Sequence, residues 1–115
     1  RQFDVEVLIM TSENSQLVAK RMEKLKIEQV FLGVKDKYTL LKNIVTKADV
    51  SLSNVAYIGD DVNDLTNICS VGWSFAPNNA TDIVKINADV VLAKNSGAGA
   101  IREACQFIMN YNKRF

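Results

Sequence analysis

The sequence predicts an α/β fold in which a parallel sheet is sandwiched between helices. Three observations carry this expectation. Short β-branched apolar runs alternate with longer amphipathic segments along the chain, the pattern of strands joined by right-handed helical crossovers. The 115 residues are 48% hydrophobic and 23% charged, an ordinary globular composition for one domain. A chain of this length buries about two-thirds of its unfolded surface, enough for a single core.

The first strand is Val5 to Met10, VEVLIM, followed by the polar cluster Thr11-Ser12-Glu13-Asn14-Ser15. That cluster offers N-cap groups for a helix over Gln16–Leu25, with Leu17, Met22 and Leu25 inward. Gln29 to Leu32 forms a second strand ending at Gly33. A helix over Tyr38–Lys47 follows, with Leu40, Leu41, Ile44 and Val45 as its apolar stripe. Val55 to Ile58 reads as a third, buried strand that ends in Gly59-Asp60-Asp61, ahead of a helix over Asn63–Ser70. Trp73 to Ala76 makes a fourth strand, with a short helix near Ala80–Ile86. Val90 to Leu92 makes a fifth strand, and Gly99 to Tyr111 the last helix. There is no internal repeat, low-complexity stretch or interdomain linker.

Composition excludes several chemistries. The chain has no histidine, so it carries neither a Ser-His-Asp or Cys-His nucleophile system nor an HExxH zinc site. Cys69 and Cys105 stand 36 residues apart outside any CxxC context, which reads as reduced, buried thiols of an intracellular protein. Val7-Leu8-Ile9-Met10 is far shorter than the roughly 20 residues that span a bilayer, and no signal-peptide pattern is visible. The expected location is cytoplasmic, with no membrane partner. Between Lys20 and Lys47 eight Lys or Arg face three acidic residues, whereas six Asp face Lys85 alone between Asp49 and Leu92. Nucleic acid is not an expected partner, because the net charge is only +1 and basic residues do not interleave with aromatics.

In parallel sheets the ligand crevice lies beyond the carboxyl ends of the strands. There stand Thr11 and Ser12, Lys35 and Lys37, then Asp60, Asp61 and Asp64, and finally the loop Asn95-Ser96-Gly97-Ala98-Gly99. Adjacent carboxylates repel unless a cation or proton intervenes, and oxygen-only ligands suit Mg2+. A hydroxyl and an ammonium nearby suit a phosphoryl group. The plain structural alternatives are N-capping by Asp61, N-capping by Thr11 and a solvated Lys37.

These residues resemble the haloacid dehalogenase superfamily. Val7–Thr11 (VLIMT), Lys37 and Ala56–Asp64 (AYIGDDVND) resemble its second, third and fourth motifs. Phe31–Lys37 (FLGVKDK) and Ser96–Glu103 (SGAGAIRE) are similar to its cap-less branch, the 3-deoxy-manno-octulosonate 8-phosphate phosphatases and their nonulosonate 9-phosphate relatives. The phosphatase-like domain of N-acylneuraminate cytidylyltransferases shares this module.

The resemblance implies a three-layer Rossmann-like sheet and a Mg2+-dependent phosphatase acting on a phosphorylated sugar acid. It implies Thr11 hydrogen-bonded to the phosphoryl, Lys37 neutralising it and Asp60 ligating Mg2+. Asp61 would support the metal site or its waters, and Asp64 would orient the motif and Lys37. Ser12 and the Gly97–Gly99 loop with Arg102 would line the substrate site. Glu13 points to a nine-carbon sialic-acid-type substrate, and Arg21 and Lys24 would reach a neighbour's substrate carboxylate in a homotetramer. The superfamily's first motif, Asp-x-Asp after the first strand, should precede Val5, where only Arg1–Asp4 stand. The resemblance therefore implies the C-terminal part of one phosphatase-like domain, lacking its usual first central strand, with the nucleophile motif upstream and the fragment inactive alone. The alternative is a non-catalytic oligomerisation domain of an N-acylneuraminate cytidylyltransferase. A receiver-type domain fits less well, since receivers carry the acidic pair after the first strand.

Overall fold

The computed structural model describes residues 8–10, 29–31, 34–96 and 99–112. The chain divides into two compact units, residues 1–37 and 38–115. The expected helix over Gln16–Leu25 lies outside the described residues, as do Val5 to Val7 and Leu32.

In the first unit, β1 (Leu8–Met10) pairs in parallel with β2 (Gln29–Phe31), placing Ile9 beside Val30. Both strands fall inside the predicted apolar runs. Helix α1 (Lys37–Ala48) begins on the last residue of this unit and runs into the second. Its predicted stripe is the inward face, with Leu41 and Val45 buried and Leu40 and Ile44 partly so. Asp49 ends the helix in the left-handed region at φ 57°. Its N–H reaches the Thr46 carbonyl, and the Val50 N–H reaches that of Val45, so the last carbonyls are satisfied by a Schellman arrangement.

The second unit holds three parallel strands in the order β3 (Ala56–Ile58), β4 (Trp73–Ala76), β5 (Val90–Val91). Between them run α2 (Leu65–Ser70) and α3 (Asp82–Asn87), and α4 (Ala100–Asn112) follows β5. A 3-10 turn over Leu52–Asn54, which the sequence pattern does not announce, precedes β3. β4 is central and buried on both faces, as a mid-sheet parallel strand requires. On one face Ala76 packs with Ile68 of α2 and with Ala80 and Val84, and Tyr57 lies against this cluster. On the other face Phe75 packs with Leu92, Ala100 and Ala104, the last two on α4. The ring of Phe75 also stands 5.9 Å from that of Phe107 on the same helix. Helices therefore cover both sides of the sheet, and the α/β expectation is borne out. Every paired strand among the described residues is one that the sequence predicts.

One polar contact joins the buried Ser74 to the exposed Asp89. Ser74, 1% exposed, donates its N–H to Asp89 Oδ2 at 2.8 Å and its hydroxyl to the same oxygen at 3.2 Å. The Asp89 N–H returns a bond to Ser74 Oγ at 2.9 Å. A buried hydroxyl must find partners, and this reciprocal set ties the loop before β5 to β4.

Three details depart from expectation. The segment after β3 starts as a 3-10 turn over Val62–Asp64 before α2, because Asp61 and Asp64 cap it locally. Helix α3 begins at Asp82, leaving buried Ala80 in the preceding turn. Cys69 is exposed and Cys105 half-buried, both free thiols, instead of buried ones. The side chain of Ile68 faces the core from α2, and one step of about 100° along the helix turns Cys69 away from it.

Candidate functional site

The carboxyl end of β3 carries the acidic cluster. The Gly59 N–H extends the ladder by donating to the Phe75 carbonyl at 3.1 Å. A Cβ at Gly59 would lie 2.5 Å from Asp64 Cβ and 2.7 Å from its Cγ. Only glycine lets the Asp64 side chain fold back so closely over the strand end. Asp64 is 2% exposed. Its Oδ2 accepts the Asp60 N–H at 3.1 Å and the Asp61 N–H at 3.2 Å. Its Oδ1 accepts the Tyr57 hydroxyl at 2.6 Å. Burial first, then the charge of Asp64, pushes the Tyr57 phenol well above its ordinary range, and hydrogen bonding from Asn67 opposes this in part.

The two neighbouring carboxylates differ in what they do. Asp61 is the N-cap of the 3-10 turn, and its Oδ1 accepts the Val62 N–H at 2.7 Å. The structural alternative for Asp61 is therefore realised, and its exposed position still leaves the carboxylate facing water. Asp60 has both backbone groups engaged, the N–H by Asp64 and the carbonyl by the Thr81 N–H at 3.0 Å. Its exposed carboxylate has no partner among the described residues. One acid is thus internal scaffolding, one a cap, and one is presented outward.

The loops after β4 and β5 are tied in series at this edge. The Asn78 N–H donates to the Lys94 carbonyl at 2.9 Å, and Lys85 Nζ donates to the Asn78 carbonyl at 3.0 Å. The Ser96 N–H donates to Asn79 Oδ1 at 2.8 Å. Glu103, in the first turn of α4, accepts the Ala93 N–H at 3.1 Å and the Lys94 N–H at 2.9 Å. Gly99 adopts φ 102°, a conformation that favours glycine, where the chain turns into α4. Lys94, Gly99, Arg102, Glu103 and Gln106 line an open hollow of about 620 Å3.

Among the predicted site residues, Asp60, Asp61 and Asp64 come together at the end of β3, while Gly99 and exposed Arg102 stand at the start of α4. Lys37 opens α1 in the first unit and is buried, not solvated. Thr11, Ser12, Glu13, Arg21, Lys24 and Gly97 lie outside the described residues. Tyr57, Thr81, Asn79 and Glu103 escaped the sequence reading. Tyr57 stands two residues before Gly59 inside the motif, and Glu103 closes the SGAGAIRE segment, so position within quoted motifs was the available signal. Among the described residues, no three His, Cys, Asp or Glu side chains are grouped to hold a metal. The outward oxygens of Asp60 and Asp61 suit a hard, largely hydrated cation such as Mg2+, which takes one or two carboxylates. No helix among the described residues is long and apolar enough to cross a membrane.

Comparison with known proteins gives the family. Residues 5–104 match the family described as haloacid dehalogenase-like hydrolases. The chain is 35% identical over 106 residues to the 3-deoxy-D-manno-octulosonate 8-phosphate phosphatase of Haemophilus influenzae, covering 92% of this chain and 59% of that protein. The Escherichia coli K12 enzyme of the same name is 33% identical, with 92% and 56% covered. This chain thus spans somewhat more than half the length of the curated relatives it matches. The Moraxella catarrhalis phosphatase of this name, solved with magnesium, phosphate and KDO, is similar at a TM-score of 0.89 and 32% identity, covering 95% of this chain and 63% of that one. The Yersinia pestis phosphatase gives 0.91 at 29% identity, with 97% and 60% covered.

Proposed function

Because the chain belongs to the haloacid dehalogenase-like hydrolase family, we propose that it forms part of a Mg2+-dependent phosphomonoesterase acting on a 2-keto-3-deoxy sugar acid phosphate. The observation that carries this reading is the acidic edge after β3, where Asp64 is internal and the Asp60 carboxylate is presented outward. Relatives named as octulosonate 8-phosphate phosphatases favour an eight-carbon substrate. Glu13 favours a nine-carbon nonulosonate 9-phosphate instead, as argued from the sequence.

In this reading Asp60 holds the cation and Asp61 steadies its waters. When bound, Mg2+ neutralises phosphoryl charge and orients the phosphate oxygens. Asp64 fixes the loop through the two N–H groups it accepts. The Lys37 ammonium and the Thr11 hydroxyl take the remaining phosphoryl oxygens. A nucleophilic carboxylate from outside these 115 residues attacks phosphorus as the bond to the sugar oxygen breaks. That oxygen leaves as the sugar hydroxyl after gaining a proton, and water hydrolyses the aspartyl-phosphate to inorganic phosphate. The enzyme would be a cytoplasmic homo-oligomer, in which Arg21 and Lys24 of one copy face the sugar carboxylate bound by a neighbour.

Steady-state phosphate release by the full-length protein tests the reading, on octulosonate 8-phosphate and on a nonulosonate 9-phosphate, with Mg2+ and with EDTA. Release that needs Mg2+ and falls at least about a hundredfold in Asp60→Asn is expected. The substrate with the higher kcat/KM decides between eight and nine carbons. No release from either would instead favour a non-catalytic oligomerisation module of a cytidylyltransferase.

A further inference from the structure

We propose that Tyr57 is a positioning residue for the acidic edge, its hydroxyl locking Asp64 in the orientation that holds the Asp60 and Asp61 backbones. The effect on turnover rests on the phosphatase reading; the effect on the loop does not. The ring of Tyr57 lies against the cluster of Ile68, Ala76, Ala80 and Val84. A phenylalanine would fill that space equally well, so packing does not account for the hydroxyl. The hydroxyl instead donates to Asp64 Oδ1 at 2.6 Å, a length typical of a donor on a charged oxygen. Asp64 then has Oδ2 turned to the N–H groups of Asp60 and Asp61, at 3.1 and 3.2 Å.

The geometry gives the carboxylate little choice. With 2% exposure, Asp64 has almost no water to replace a lost donor. Gly59 stands against its Cβ and Cγ, which limits where the side chain can turn. Burial keeps the Tyr57 phenol protonated through the neutral range, so it remains a donor there. Without the hydroxyl, Asp64 loses one of the donors that fix its χ2, and the two N–H bonds that set the direction of Asp60 loosen together. Tyr57 touches neither substrate nor metal in this scheme; it acts through Asp64.

The test compares Tyr57→Phe with Val84→Ala, a cavity variant in the same cluster, in the full-length protein. Amide hydrogen exchange reads the loop directly. Protection of Asp60 and Asp61, taken relative to the amides of β4, should fall about tenfold in Tyr57→Phe and stay unchanged in Val84→Ala. In phosphate-release assays, Tyr57→Phe should require several-fold more Mg2+ for half-maximal rate with the substrate KM unchanged, whereas Val84→Ala should keep the parental Mg2+ requirement. Parental protection at Asp60 and Asp61 in Tyr57→Phe would overturn the proposal, and so would a parental Mg2+ requirement in an active enzyme. If the parent released no phosphate, the phosphatase reading would fall and hydrogen exchange alone would decide the role of Tyr57.

Discussion

Glu103 Oε1 accepts the backbone N–H of Lys94 at 2.9 Å, joining the first turn of α4 to the loop that leaves β5. The other oxygen accepts the Ala93 N–H at 3.1 Å. A single side chain thus satisfies two consecutive donors on a loop that has left its ladder. Both amides are exposed, so in Glu103→Ala water takes the place of the carboxylate, and the expected loss is about 0.5–1.5 kcal/mol in urea denaturation. Glu103→Gln keeps one acceptor oxygen and should fall between the parent and the alanine variant. Equal stability of all three proteins would show that the loop does not depend on this contact.

The Ser74–Asp89 pair makes a separate, coupled unit. Asp89→Ala leaves the buried Ser74 N–H and hydroxyl without their shared acceptor, so a cost of about 1–3 kcal/mol is expected. Ser74→Ala removes the other half of the same set. In a double-mutant cycle the two losses should be less than additive by at least about 0.5 kcal/mol. Strict additivity would mean that the two side chains act independently.

Gly59→Ala should be among the most disruptive single-methyl additions in the second unit. The new Cβ would meet Asp64 Cβ at 2.5 Å, and the bonds that hold Asp64 include those from Tyr57, Asp60 and Asp61. A loss of about 1–3 kcal/mol, the usual range for overpacking, is expected. Thermal unfolding reads this directly. A Tm equal to that of the parent would show that Asp64 can yield.

Tyr57 also sets an alkaline limit. Its ordinary value is 10.0, and the folded state raises it further. Below pH 10 both folded and unfolded states keep the proton, so the contribution is fully present. Above it the unfolded chain alone releases the proton, and stability declines as pH rises, by up to about 1.4 kcal/mol per unit. Tyr57→Phe has no such group, so the stability advantage of the parent over this variant should shrink between about pH 9 and pH 11. A gap that stays constant over that range would contradict the burial of the phenol.

The strands were legible because their signal is local. Trp73–Ala76 was expected at its observed bounds, since a mostly buried central strand shows as a short run in which Ser74 alone is polar. Helix α1 was found to within one residue at each end, for its stripe of Leu40, Leu41, Ile44 and Val45 is a clean helical period. The acidic residues after β3 could be singled out by position alone. Their separate roles followed only from the family resemblance, and the contacts behind them were hidden, because these depend on the Tyr57 hydroxyl seven residues before Asp64 and on the space over Gly59. The contacts of Asp89 with Ser74 and of Glu103 with Ala93 join separate elements, and no periodicity encodes such pairings. Cys69 was misread because cysteine is so often buried, while its place on α2 follows from Ile68 facing inward.

The backbone of Asp60 is anchored at both its N–H and its carbonyl, whereas the carboxylate contributes nothing to that anchoring. On the phosphatase reading, exchange of this side chain for an isosteric amide should therefore silence the chemistry and spare the architecture. Such a dead but well-formed copy is the natural bait for soaking or pull-down with unhydrolysed sugar phosphates, and would let the true cargo identify itself.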